Sequence, residues 1–210
     1  MMVNGPAGSS KSILATYCAL KLLNEKRISD IVYIRSAVES SDSKLGYLPG
    51  DVDQKLHVYN LPFLEKLDEL LPRCEVDKLE KDHRVSTYPV NYSRGMSWNA
   101  KCVIFDEAQN STQKEIITVL TRLGQFSKCF VLADPNQTDL PIGKGGAFER
   151  MFELFSDEDS FNNGVKSFQF TEANDCKLVD TIEEIATPLL KEFPDVIHVG
   201  NSRLVLLESL

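Results

Sequence analysis

Apolar residues along this chain fall into two alternating patterns, and the alternation predicts an architecture. One pattern is a short continuous run rich in β-branched residues, expected of a strand buried on both faces. It appears at 31–34 (IVYI), 102–105 (CVIF) and 129–133 (CFVLA). Two shorter apolar stretches, 1–3 and 168–170, are read as further strands. The other pattern has helical spacing. Over 13–23 it carries Leu14, Tyr17, Cys18, Ala19, Leu20 and Leu22. It recurs over 112–123, with Ser111 or Thr112 as N-cap, and over 178–191, interrupted by Pro188. Strands alternating with helices give an α/β fold with a mostly parallel sheet and right-handed crossovers.

The stretch 36–100 breaks the rhythm. It holds Pro49, Pro62, Pro72 and Pro89 and an acidic helical middle at 61–71. It is read as an insertion over the carboxyl edge of the sheet, within a single domain over 1–192. Residues 193–210 form a tail or edge strand, with an apolar run at 204–207.

Chain length and composition fit such a domain. The 210 residues suffice to bury a sheet between two helical layers. A content of 42% hydrophobic and 26% charged residues is that of a globular protein. No apolar run approaches the roughly 18–20 residues of a membrane span. The start MMVNGPAGSSKS has no basic region followed by an apolar stretch, so a cytosolic protein is expected. The net charge of −8 argues against a general nucleic-acid coat, though not against a local basic groove. Five scattered cysteines, with no C-x-x-C pair, are expected as reduced and mostly buried thiols. Three dispersed histidines suggest no metal site.

Chemistry enters at 5–12, G-P-A-G-S-S-K-S, between the first strand and the first helix. This is the setting of a phosphate-binding loop. Gly5, Pro6, Ala7, Gly8, Ser9, Ser10, Lys11 and Ser12 are its candidate residues. Backbone N–H groups there face phosphate oxygens. Lys11 adds a point charge, and the Ser12 hydroxyl suits Mg²⁺. The match to G-x-x-x-x-G-K-[ST] departs at Ser10, where glycine is usual. A plain Gly/Ser-rich helix cap is the alternative reading.

The run at 102–105 ends in Asp106-Glu107, two acids at the edge where α/β sheets bind ligands. Asp106 suits Mg²⁺, and Glu107 suits a base that orients and deprotonates water. Acids that favour a helix start are the alternative. The next strand leads to Asp134-Pro135-Asn136-Gln137, where Gln137 could sense the γ-phosphate or simply belong to a turn. Among the arginines, Arg35, Arg94 and Arg122 are candidates for phosphate or a neighbouring subunit's site. Arg94, in the turn Ser93-Arg94-Gly95, is expected to approach nucleotide or nucleic acid. Tyr88, Tyr92 and Trp98 could stack on bases or pack in the core.

These stretches, with RSAVES (35–40), KLGYLPGD (44–51), SRGMSW (93–98), VIFDEAQNST (103–112), TRLGQFSK (121–128) and ADPNQTDLP (133–141), resemble the PhoH-like ATPases. The resemblance is in particular to the small versions carried by bacteriophages. The resemblance covers about two-thirds of the chain. It implies a three-layer RecA-like P-loop NTPase that binds ATP with Mg²⁺, hydrolyses it, and acts on RNA or single-stranded DNA. It implies Lys11 and Ser12 on phosphate and Mg²⁺, Asp106 and Glu107 as the Walker B pair, and Gln137 as the γ-phosphate sensor. A homo-oligomer is expected because a single lobe has no second lobe to move against. The location would be the cytoplasm, that of the host if a phage encodes the protein. Besides Ser10, two departures stand out. Relatives carry a segment before the first strand whose glutamine contacts adenine. They also carry an arginine where this chain reads FTEANDCKLVD (170–180). Two other readings stay open: a nucleotide-binding module with little hydrolysis, and a small-molecule phosphotransferase.

Overall fold

The computed structural model describes residues 1–36, 52–140 and 146–170, with the backbone alone over 52–59. Among these, strands β1 (Met2–Asn4), β2 (Asp30–Arg35), β3 (Val85–Pro89), β4 (Lys101–Asp106), β5 (Lys128–Ala133) and β6 (Ser167–Gln169) form one sheet. Its order is β3-β2-β4-β5-β1-β6, and every pairing is parallel.

Helices cover both faces, and the period of two along each strand assigns residues to them. Ile31 and Tyr33 of β2, Cys102 and Ile104 of β4, and Phe130 and Leu132 of β5 pack into one core. That core is roofed by α1 (Lys11–Asn24), α2 (Val52–Leu70) and α3 (Arg73–Lys81). Val32, Ile34, Val103, Phe105, Val131 and Ala133 face the opposite core. There α4 (Gln113–Leu120) and α5 (Ala147–Leu154) contribute Ile116, Val119, Phe148 and Met151. Burial on both faces is why these strands are continuous apolar runs. The three layers are those of an α/β RecA-like P-loop fold. A short helix, α6 (Glu158–Asn162), precedes β6.

Local chemistry sets the helix limits. Thr112 caps α4 through a capping box: its Oγ1 accepts from Glu115 N–H at 3.4 Å, and Glu115 Oε2 accepts from Thr112 N–H at 2.8 Å. The helix expected to reach 123 ends at Leu120, because Leu123 turns into a parallel bridge with Trp98. Helix α2 runs through Pro62, which removes one helical hydrogen bond at a cost of about 3 kcal/mol. Burial of Phe63 and Leu67 from the same helix opposes that cost.

The segment 36–100, expected as an insertion, also supplies an integral strand. β3 pairs with β2 from Ile31↔Val85 to Arg35↔Pro89. It is an edge strand whose residues are mostly half-buried, so VSTYP lacks the apolar run of its neighbours. The expected helix at 178–191, the tail at 193–210 and the KLGYLPGD stretch lie outside the described residues. Among the described residues, no helix is long and apolar enough to cross a membrane.

Candidate functional site

β1 ends at Asn4, and the loop beyond it runs to α1 at the carboxyl edge of the sheet. Gly5 N–H donates to the Ala133 carbonyl at 3.1 Å, tying the loop to β5. A side chain at Gly5 is sterically barred: a Cβ there would lie 2.7 Å from Phe170 Cβ and 3.0 Å from Ser9 Oγ. The buried Ser9 closes the loop from within, its hydroxyl donating to the Pro6 carbonyl at 2.7 Å.

Ser10 stands at the N-cap of α1 with φ 59° and ψ 18°, the left-handed region. This explains why glycine is usual here. An L-residue in that conformation costs roughly 1–2 kcal/mol. Glycine removes that cost but forfeits about 0.5–1 kcal/mol through its looser unfolded chain. Ser10→Gly is therefore expected to raise the unfolding free energy by about 0.5–1 kcal/mol. Urea denaturation of the two proteins checks this, and a loss of stability would contradict it.

Lys11 folds back over the loop. Its Nζ donates to the Gly5 and Pro6 carbonyls, both at 2.7 Å, and to Ser9 Oγ at 3.3 Å. Burial lowers its pKa from the usual lysine value, opposed by the charges of Asp134, Asp106 and Glu107. The ammonium is thus held among three acids at the mouth of the loop.

Register explains where Asp106 points. It follows Cys102 and Ile104 at alternate positions of β4, so its carboxylate faces the α1 side of the sheet. There Ser12 Oγ, in the first turn of α1, donates to Asp106 Oδ2 at 2.7 Å. Tyr33 Oη donates to the same oxygen at 2.6 Å. Glu107 N–H donates to Oδ1 at 3.0 Å. Burial, then the adjacent Asp106 charge, pushes the Tyr33 phenol well above the ordinary tyrosine pKa, so it stays a donor.

Glu107 is itself left-handed, at φ 56°. Its Oε2 accepts from Gln109 Nε2 at 2.6 Å, and its Oε1 lies 3.9 Å from the Arg35 guanidinium. Gln109 is buried and joins the sequence-distant parts. Its Oε1 accepts from Asp134 N–H at 3.1 Å, and its Nε2 lies 3.4 Å from the Gln137 carbonyl. Asn110 adds a second tie across the same gap, accepting from Asp139 N–H at 2.8 Å.

Together these elements enclose a cleft of about 410 Å³. Residues 7–13 of the loop and α1 form one wall, and Asp106, Glu107, Asp134 and Gln137 face them. Gly5 and Pro6 act behind that wall through their carbonyls. Four contributors carry no signature in the sequence. Tyr33 is hidden in an apolar run, and Gln109 in a polar turn. Lys66 and Glu69 of α2 also line the cleft, although they read as an ordinary solvated pair. Of the candidate arginines, Arg35 reaches Glu107. Arg94 is exposed and does not line this cleft. Arg122 lies by Trp98, ahead of β4, where its carbonyl accepts from Trp98 N–H at 2.9 Å. Trp98 is a core residue and Tyr88 packs against the same core, which leaves Tyr92 as the exposed aromatic of the three.

The oxygen donors of Ser12 and Asp106 fit a hard divalent cation. Mg²⁺ takes one or two protein oxygens and completes its shell with phosphates and water. No set of three or more His, Cys, Asp or Glu of metal-holding geometry occurs among the described residues.

The family described as "PhoH-like protein" matches residues 1–185. The chain is 39% identical over 137 residues to a "PhoH-like protein" of Synechocystis sp., covering 65% of this chain and 42% of that one. It is 34% identical over 158 residues to a "PhoH-like protein" of Mycobacterium tuberculosis, covering 75% and 45%. It is 30% identical over 167 residues to "Protein PhoH" of Escherichia coli, covering 76% and 45%. These relatives belong to cellular bacteria, and the chain spans less than half of their length.

Proposed function

We propose, from the premise that this chain belongs to the PhoH-like protein family, that it binds ATP with Mg²⁺ in the cleft and hydrolyses the γ-phosphate bond. The observation that carries the reading is the 2.7 Å hydrogen bond from Ser12 Oγ to Asp106 Oδ2. It brings the two oxygen donors a nucleotide-bound Mg²⁺ would use to one point beside Lys11.

Loop N–H groups and the amino end of α1 would receive the phosphates. Lys11 would exchange its carbonyl partners for the β- and γ-phosphate oxygens. Ser12 and Asp106 would hold Mg²⁺, which neutralises charge on those oxygens. Glu107 is the group to orient the attacking water and take its proton. Gln109 fixes the Glu107 carboxylate and, through the Asp134 amide and the Gln137 carbonyl, links it to the loop after β5. Gln137 would then report the presence of the γ-phosphate.

A single-stranded RNA is the second substrate we assign, with exposed Tyr92 as a stacking surface. A second copy of the chain would supply the moving partner. A nucleotide-binding module with little turnover is the competing reading. It is favoured by the engagement of Glu107 with Gln109 at 2.6 Å and with Arg35 at 3.9 Å. Steady-state phosphate release with and without single-stranded RNA separates them. The ATPase reading expects Mg²⁺-dependent release that RNA increases. Tight ATP binding without release supports the module.

A further inference from the structure

Tyr33 is 1% exposed in the middle of β2, a position where phenylalanine would pack as well. A buried hydroxyl costs free energy unless it is bonded, and this one is bonded to Asp106 Oδ2 at 2.6 Å. The ring is fixed from its other side. It stacks on Phe63 of α2 with centroids 4.7 Å apart and planes 10° apart. Register supports the geometry: Tyr33 lies opposite Ile104, two positions inward from the Arg35↔Asp106 pair and so on the same, α1 side of the sheet.

We propose that Tyr33 is a positioning residue for the metal-binding carboxylate, holding Asp106 in the rotamer that presents it to a divalent cation. The proposal rests on the reading of the cleft as a Mg²⁺–nucleotide site. Asp106 Oδ2 takes two side-chain hydrogen bonds, from Ser12 and from Tyr33. A serine hydroxyl that turns a lone pair toward a cation withdraws its proton from Oδ2. Tyr33 then remains as the side-chain donor on that oxygen, while Glu107 N–H holds Oδ1. Phe63 couples this bond to α2, whose next turns carry Lys66 and Glu69 into the cleft. Groups that orient a metal ligand in this way typically change metal affinity by roughly 10–100-fold when removed.

The test is a Mg²⁺ titration of binding of a fluorescent ATP analogue to the full chain, in the parent and in Tyr33→Phe. The substitution keeps the ring and its stack and removes only the hydroxyl. We expect the Mg²⁺ concentration for half-maximal binding to rise by about 10-fold or more. Binding of the analogue in EDTA should stay at the parent value, while loss of the buried hydrogen bond to Asp106 lowers the thermal midpoint by about a few degrees. Phe63→Leu, which keeps the hydroxyl but loosens the ring, should shift the Mg²⁺ midpoint in the same direction by less. An unchanged Mg²⁺ midpoint in Tyr33→Phe, or an equal loss of binding in EDTA, would overturn the proposal while leaving the nucleotide site intact. A parent protein whose binding ignores Mg²⁺ would overturn both.

Discussion

Glu107→Gln is expected to lower phosphate release from Mg-ATP by about 10²–10⁴-fold, the range for a lost general base, while nucleotide affinity stays within a few-fold. The side chain changes by one atom, and its remaining oxygen can still accept from Gln109 Nε2, which lies 2.6 Å from Glu107 Oε2 in the parent. What disappears is the capacity to take a proton from water. The fold has little to lose, because Glu107 reaches the site from a left-handed turn at the end of β4. Single-turnover phosphate release beside equilibrium binding checks the expectation. Equal turnover in both proteins would remove Glu107 from the reaction and leave Asp106 or a group outside the described residues as the base.

Lys11→Ala is expected to produce the other large effect, with a different signature. Removing a charged donor from phosphate costs about 1.5–3 kcal/mol, hence roughly 10–100-fold in ATP affinity. Turnover should fall further, by about 10²-fold or more, since on the proposed reading the same ammonium would face charge that develops on the transferred phosphate. Affinity and turnover thus fall together here, whereas Glu107→Gln separates them. Isothermal titration with ATP measures the first quantity and phosphate release the second. A substitution that spared affinity would mean that the loop carbonyls, which hold Lys11 Nζ at 2.7 Å, keep it from the phosphates.

The parts legible in the sequence were those with a strong local signature. β2, β4 and β5 announce themselves because both faces are buried, leaving no charged residue in their interiors. β3 does not, because it is an edge strand among the described residues and keeps half-polar residues such as Ser86 and Thr87. The first helix, the loop before it and the acids at the end of β4 are likewise readable, and so is the anomaly at Ser10. Its cause, a left-handed backbone at the N-cap, needed coordinates.

The residues that were missed act over long sequence distances. Tyr33 meets Asp106 across 73 positions and Gln109 meets Asp134 across 25. Neither pair forms a motif at fixed spacing. Lys66 and Glu69 are an i,i+3 pair like those on any solvated helix, and only the placement of α2 beside α1 brings them to the cleft. Trp98 is a case that the sequence leaves open between stacking and packing. A parallel bridge to Leu123 carries it into the core, the more common use of an aromatic.

The account turns on whether this cleft cleaves ATP. The most direct measurement is phosphate release from Mg-ATP by the purified chain over a range of Mg²⁺, with Glu107→Gln alongside. The account predicts turnover that needs Mg²⁺ and that the substitution abolishes while ATP still binds. Binding without release in the parent protein, at saturating Mg²⁺ and with single-stranded RNA present, would contradict it.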